Sequence, residues 1–193
     1  MIIHDGKGSG NKLRVNANNR IHTQAVTENE HVNRVSAGNA YHINSGNITF
    51  SAAGTVLYLK NNEDADIEVE SMEFSTGAGT LTSRAEITIE NSPTGGDLIS
   101  DATAVSVNGN KNFGSNKTLT ADVYKGKSGG TSTGGTDALY FYISAAENLR
   151  ETVNLIIPKG SSLAVTFNPD LASGSMKATC ALVVHIKDVA SAD

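Results

Sequence analysis

Glu86-Ile87-Thr88-Ile89-Glu90 alternates polar and apolar side chains. This is the repeat of two that a half-buried β-strand requires, because successive side chains point to opposite faces. The alternation recurs on both sides of this stretch. Leu119, Ala121 and Val123 alternate with Thr118, Thr120 and Asp122, and Leu163, Val165 and Phe167 alternate with Ala164, Thr166 and Asn168. Cys180, Leu182, Val184 and Ile186 form one face of a last strand, whose other face carries Ala181, Val183, His185 and Lys187. Segments 47–51, 55–60, 66–74, 104–107, 139–144 and 152–157 bring the expected total to about ten strands. Turn clusters punctuate them: Pro93-Thr94-Gly95-Gly96, Asn108-Gly109-Asn110 and Pro158-Lys159-Gly160. Asn61-Asn62-Glu63-Asp64 predicts a hairpin connection, and 144–151 predicts a helix of at most two turns. Lys125 to Asp137, rich in Gly, Ser and Thr, predicts a flexible loop at one end of the fold. Many short strands with Gly and Pro turns predict an all-β fold, a jelly-roll-like β-sandwich over residues 41–193.

The composition agrees. The 193 residues hold 38% hydrophobic, 18% charged and only 5% aromatic side chains, with 19 Gly. Small polar residues fill the gap, which suits strands and turns rather than long helices. No apolar run approaches the roughly 18–20 residues that span a bilayer, so no membrane partner is expected. The N-terminus lacks the apolar core of a secretory signal, and the single Cys180 cannot form an intrachain disulfide. Both features predict synthesis in a reducing cytoplasm. A formal charge of −5 opposes bulk nucleic-acid binding.

Residues 1–40 differ from the rest. They carry five basic against three acidic residues and seven Asn, and their apolar residues Leu13, Val15, Ile21, Val26, Val32 and Val35 show no sustained period. Such a segment cannot bury enough apolar surface to offset its ordering entropy, which predicts an extended N-terminal arm held by a partner.

Motifs for chemistry are sparse. Glu63, Asp64, Asp66, Glu68, Glu70 and Glu73 form the densest charge feature, without the spacing or central Gly of an EF-hand. Because Glu68 and Glu70 alternate with Ile67 and Val69, the cluster predicts a solvated strand face that could receive a basic arm from a neighbouring copy. Gly109-Asn110-Lys111-Asn112-Phe113-Gly114-Ser115 lacks the Gly-Lys-Ser/Thr ending of a phosphate loop. Histidines at 4, 22, 31, 42 and 185 show no metal spacing: His22 and His31 read as surface or interface residues, and His185 as a hydrogen-bonded strand histidine. No nucleophile elbow occurs, so no catalytic residue, metal or cofactor is expected.

A resemblance supplies what spacing does not. Asp5-Gly6-Lys7-Gly8-Ser9-Gly10 and Leu13 to Thr27 resemble the opening of small virion structural proteins of tailed bacteriophages. Gly38 to Gly46 and Leu57 to Asp64 resemble them too, and Ile157 to Val165 is similar to their jelly-roll modules. The resemblance implies a capsid decoration (cement) protein: a homotrimer on the virion surface whose arm clamps the major capsid protein. Leu13, Val15, Ile21 and Val26 would then fill grooves on the shell, Arg14 and Arg20 would meet acidic patches, and His22 would lie among them. Tyr140 and Tyr142, on the strand face opposite Leu139, Phe141 and Ile143, would with Tyr124 lie between subunits. The alternative is a tail, baseplate or fibre adhesin that stacks host glycan on those tyrosines.

Overall fold

The computed structural model describes residues 3–4, 12–13, 30–92, 103–105, 109–130 and 132–187. In chain order the elements are β1 (Ile3–His4), β2 (Lys12–Leu13), α1 (Glu30–Ser36), β3 (Ala40–Asn44), β4 (Ile48–Phe50), β5 (Gly54–Asn61), β6 (Ile67–Thr76) and β7 (Thr80–Leu81). There follow β8 (Ala85–Ser92), β9 (Thr103–Ala104), β10 (Ala121–Lys125), β11 (Thr136–Ile143), β12 (Asn148–Ile157), β13 (Ser162–Asn168), β14 (Leu171–Ser173) and β15 (Met176–Ile186). The alternating segments thus form strands. Their neighbours in space are not their neighbours in sequence.

One sheet runs β12-β6-β15-β3, with β4 also paired to β15; the other runs β11-β8-β13-β5-β10-β9. Taken as β3, β5, β6, β8, β11, β12, β13 and β15, the eight long strands cross between sheets at almost every connection. The resulting orders, β3-β15-β6-β12 facing β5-β13-β8-β11, are those of an eight-stranded jelly roll. β9 and β10 extend the second sheet beyond β5, and the corner strands β7 and β14 pair with each other.

Inward-facing residues of the two sheets form one core. Ile67, Val69, Met72, Phe74, Cys180, Leu182 and Val184 face Leu57, Leu59, Ile87, Ile89, Leu163, Val165 and Phe167. Phe167 stands at its centre, edge-on to Phe50 with ring centroids 5.5 Å apart and tilted against Phe74 at 5.3 Å, so it links the two layers. Cys180 is fully buried, and burial pushes its thiol pKa up, keeping it an unreactive core residue.

Two expectations are corrected. Asn61 to Asp64 is not a hairpin, because β5 and β6 belong to different sheets. The buried Asn61 folds the chain across instead: its Oδ1 accepts the Glu63 N–H at 2.7 Å, and its Nδ2 donates to Ala65 O and Ile157 O at 2.9 and 2.8 Å. The segment 144–151 is a turn followed by β12, not a helix. Ala146 has a φ of 56°, and Glu147 accepts the Ser144 N–H at 2.7 Å, which closes the turn. The Gly-rich segment does connect β10 to β11, and its residues 128–130 lie along the chain before and within β5. Ser128 Oγ accepts the N–H groups of Ser51 and Ala52 at 2.9 and 3.0 Å, and Gly130 O accepts that of Thr55 at 2.7 Å.

Of the arm residues, Leu13 belongs to β2, which pairs with β1 through Ile3. Arg14, Val15, Arg20, Ile21, His22 and Val26 lie outside the described residues, as do the Pro93–Gly96 turn and residues 106–107 of the expected 104–107 strand.

Candidate functional site

The side chains that converge most closely belong to α1, β6 and β15. β6 is apolar at 67 and 69 and again at 72 and 74, a gap of three that breaks its alternation. The structure places a bulge there: Val183 of β15 pairs with Ser71 and Val184 with Val69, leaving Glu70 as the extra residue. The bulge keeps both flanking apolar pairs in the core and aims Glu70 outward beside His185. His185 Nε2 donates to Glu70 Oε2 at 2.6 Å.

α1 closes the site from above. His31 and Arg34, three residues apart and so on one helix face, both reach the sheet. His31 Nδ1 lies 3.0 Å from Glu70 Oε2, and Arg34 Nη1 lies 2.5 Å from Glu68 Oε2. Few apolar contacts hold this helix, since Val32 is 54% exposed and Val35 only half-buried. A Schellman motif ends it: Asn39 N–H donates to Arg34 O at 2.9 Å and Gly38 N–H to Val35 O at 3.0 Å. Gly38 has a φ of 74°, and a Cβ there would lie 2.3 Å from Ser115 Oγ.

The segment 109–117 wraps the helix end. Asn112 Nδ2 donates to Ser36 O, Asn110 Nδ2 to Gly38 O, and Lys117 Nζ to Asn39 Oδ1, at 2.9 to 3.0 Å. The bond to Ser36 O satisfies a carbonyl that the helix C-terminus leaves open, and the other two hold the residues just past it. Lys111 Nζ lies 3.2 Å from His31 Nε2 and donates to it, so the His31 hydrogen sits on Nδ1 and points at Glu70. The glycine-rich stretch that superficially matches a phosphate loop therefore serves as a clamp on α1. It also covers the edge of β3, through His42 N–H to Gly109 O and Lys111 N–H to Ala40 O.

Burial penalises the charge of Glu70, but the bond from His185 and the two nearby imidazoles outweigh it and hold its pKa below the ordinary carboxylate value. Burial holds the His185 pKa below the ordinary imidazole value against the opposing pull of Glu70. At neutral pH the site thus presents an ionised carboxylate to a neutral imidazole. Among the described residues, His185 Nδ1 is buried without a hydrogen-bond partner. The donor atoms of His31, Glu70 and His185 all lie within 4.8 Å of one another, a spacing within which a single ion could be held.

No protein-family model matches the chain, and no curated protein matches it. A chain in the solved structure of the infectious bursal disease virus Gx strain is similar over 79% of this chain at 12% identity, with a TM-score of 0.32. This chain covers 32% of that one.

Of the residues singled out from sequence, His31 and His185 come together with Glu70, although 39 and 115 positions separate them from it. The acidic face is not simply solvated: the chain's own α1 covers Glu68 and Glu70. The gap of three in β6 was the available signal for the bulge, and no motif spacing reveals the rest. Tyr140 and Tyr142 project from β11, 52% and 57% exposed, while Phe141 and Ile143 turn inward. Tyr124 lies on the same outer sheet face but on β10, with β8, β13 and β5 between. At about 4.8 Å per strand, that puts it roughly 19 Å from the Tyr140–Tyr142 pair.

Proposed function

We propose that this protein is a virion structural component of a tailed bacteriophage, a decoration (cement) protein that clamps major capsid subunits on the outer shell. The observation that carries this reading is the joining of a phage-like N-terminal run, Asp5 to Thr27, to an eight-stranded jelly roll. Jelly rolls recur in capsid and lectin domains and fix no function alone, so the N-terminal resemblance weighs most. The structure adds a mechanical argument. α1 is fastened to the sandwich by Arg34, His31 and the 109–117 clamp, so the segment preceding it joins the domain at a fixed point. Load on the segment would pass into the five-stranded sheet through polar contacts. An arm that orders on binding wraps a large surface, and many copies on a symmetric shell multiply a modest affinity. The clamping contacts fall to Leu13, Arg14, Val15, Arg20, Ile21, His22 and Val26, with the sandwiches as a homotrimer on the virion surface.

The second reading is a tail or baseplate adhesin, favoured by the exposed Tyr140 and Tyr142 as a stacking strip for host glycan. Cryo-electron microscopy of purified particles separates the two. Hundreds of copies on the shell, with arms crossing capsid boundaries, are expected of a cement protein; a handful at the tail would overturn it. Deleting residues 1–27 should leave a folded sandwich that no longer attaches to shells. Full attachment of the truncated protein would remove the clamping role of the arm.

A further inference from the structure

We propose that His31, Glu70 and His185 bind one divalent transition-metal ion of the zinc type, which bolts α1 to the five-stranded sheet. The donor set argues for this class of metal. Two imidazole nitrogens and one carboxylate oxygen suit zinc, cobalt, nickel or copper, whereas calcium and magnesium take oxygen ligands. The donors are His31 Nδ1, Glu70 Oε2 and His185 Nε2, with the carboxylate oxygen 3.0 and 2.6 Å from the two nitrogens. A tetrahedral zinc site, with bonds of about 2.0–2.1 Å, spaces its donors roughly 3.3 Å apart. The two nitrogens lie within 4.8 Å of each other, so the ion enters when the carboxylate oxygen backs away from both by roughly 0.3–0.7 Å and the imidazoles close on it.

Two of the three ligands are fixed beforehand. His185 is 1% exposed near the end of β15, where it is paired on both sides with Glu68 and Ala40, and the bulge aims Glu70 at it. His31 arrives from a separate element, so the ion would join helix to sheet. It would replace hydrogen bonds that now converge on one oxygen. Among the described residues His185 Nδ1 has no hydrogen-bond partner, so the hydrogen that moves there from Nε2 breaks no bond and is left for a water to accept. The Arg34 charge is matched by Glu68 and does not claim Glu70. His31 and Glu70 side chains are 35% and 37% exposed, so the fourth position opens on solvent and would take water or a donor from a partner.

Lys111 is the competitor. Its ammonium donates to His31 Nε2 and keeps the His31 hydrogen on Nδ1, the atom the metal needs. On metal binding that hydrogen moves to Nε2, where a cation is the wrong neighbour and an acceptor the right one. Lys111→Gln supplies an acceptor and removes the charge, so it should tighten binding, an effect that a merely structural role for the cluster does not predict.

The test uses the full chain, stripped with chelator and titrated with Co²⁺ by visible absorption and with Zn²⁺ by calorimetry. Expected is one Co²⁺ per chain with the intense bands of four-coordinate cobalt, displaced by Zn²⁺. His31→Ala and Glu70→Gln should each weaken binding at least about tenfold, and Lys111→Gln should strengthen it by about threefold or more. Both weakening variants alter part-exposed side chains, and circular dichroism in chelator confirms their folding. No saturable binding at millimolar Co²⁺ would overturn the proposal. So would binding of unchanged affinity in both weakening variants, which would place the ion on other residues.

Discussion

Tyr140 shows how a single contact sets a side chain's chemistry on an exposed surface. Its hydroxyl donates to the Asp137 carboxylate, and this bond, with the nearby charges of Asp137 and Glu86, opposes a phenolate and raises its pKa from the ordinary 10.0 to about 12. The folded-state pKa lies above the unfolded value, so the contact is fully present below about pH 10 and is lost as the pH rises through about 12. Spectrophotometric titration of the folded protein should show this late phenol. Asp137→Asn removes the carboxylate charge and should bring its transition back toward the ordinary value. An unchanged titration in that variant would mean that Tyr140 owes its shift to another group. Cys180 makes the opposite case, with burial alone deciding. Its thiol should resist a soluble disulfide reagent in the native protein and react only as fast as the chain unfolds. Rapid modification under native conditions would contradict the packing of β15 against the core.

At the scale of elements, the crossing between β5 and β6 depends on Asn61. Its side chain makes three hydrogen bonds, each to a backbone group of the chain that turns from one sheet to the other or of the end of β12. Asn61→Ala would leave the Ile157 carbonyl without that donor and remove the turn's bond to Glu63. At about 1 kcal/mol per bond plus the cost of buried unpaired groups, the loss should be on the order of 2–4 kcal/mol. Chemical denaturation with an unchanged slope would measure it, and a loss below about 1 kcal/mol would show that the crossing is held by the sheets alone. Alternation made strands such as β6 and β8 legible, because each buries one face, whereas β5 is buried on both and does not alternate. Which strands share a sheet was not legible, because that is decided at connections such as Asn61 to Asp64, where a hairpin and a crossing use the same polar residues. α1 was hidden for a related reason. It packs through His31 and Arg34 rather than an apolar stripe, so its sequence carries no helical period. Its signature is Gly38 at the stop.

Over the whole molecule, the edges of the two sheets indicate where a second copy would meet this one. The β3 edge is covered by residues 109–111, and β10 covers the edge of β5. Among the described residues the remaining long edges are β11 and β12, and both carry register shifts, between Asp137 and Leu139 and between Thr152 and Leu155. Bulges at an edge oppose the addition of another strand. Association on the proposed trimeric assembly is therefore expected through side chains projecting from the outer sheet face, where Tyr140 and Tyr142 stand exposed above Thr88 and Glu86. Tyrosine suits this role because it offers a large apolar ring at low entropic cost and a hydroxyl that can stay hydrated. Replacing both with Ser leaves the core untouched, since their ring faces contribute nothing to the buried set. The double variant should keep its unfolding midpoint as a monomer and run as a single chain by light scattering after size exclusion, while the parent runs as a trimer. A double variant that stays trimeric would move the interface off β11. A parent that is monomeric at micromolar concentration would leave the exposed pair to the glycan-binding reading, and sugar titrations monitored by tyrosine fluorescence would then decide between a working adhesin strip and a bare surface.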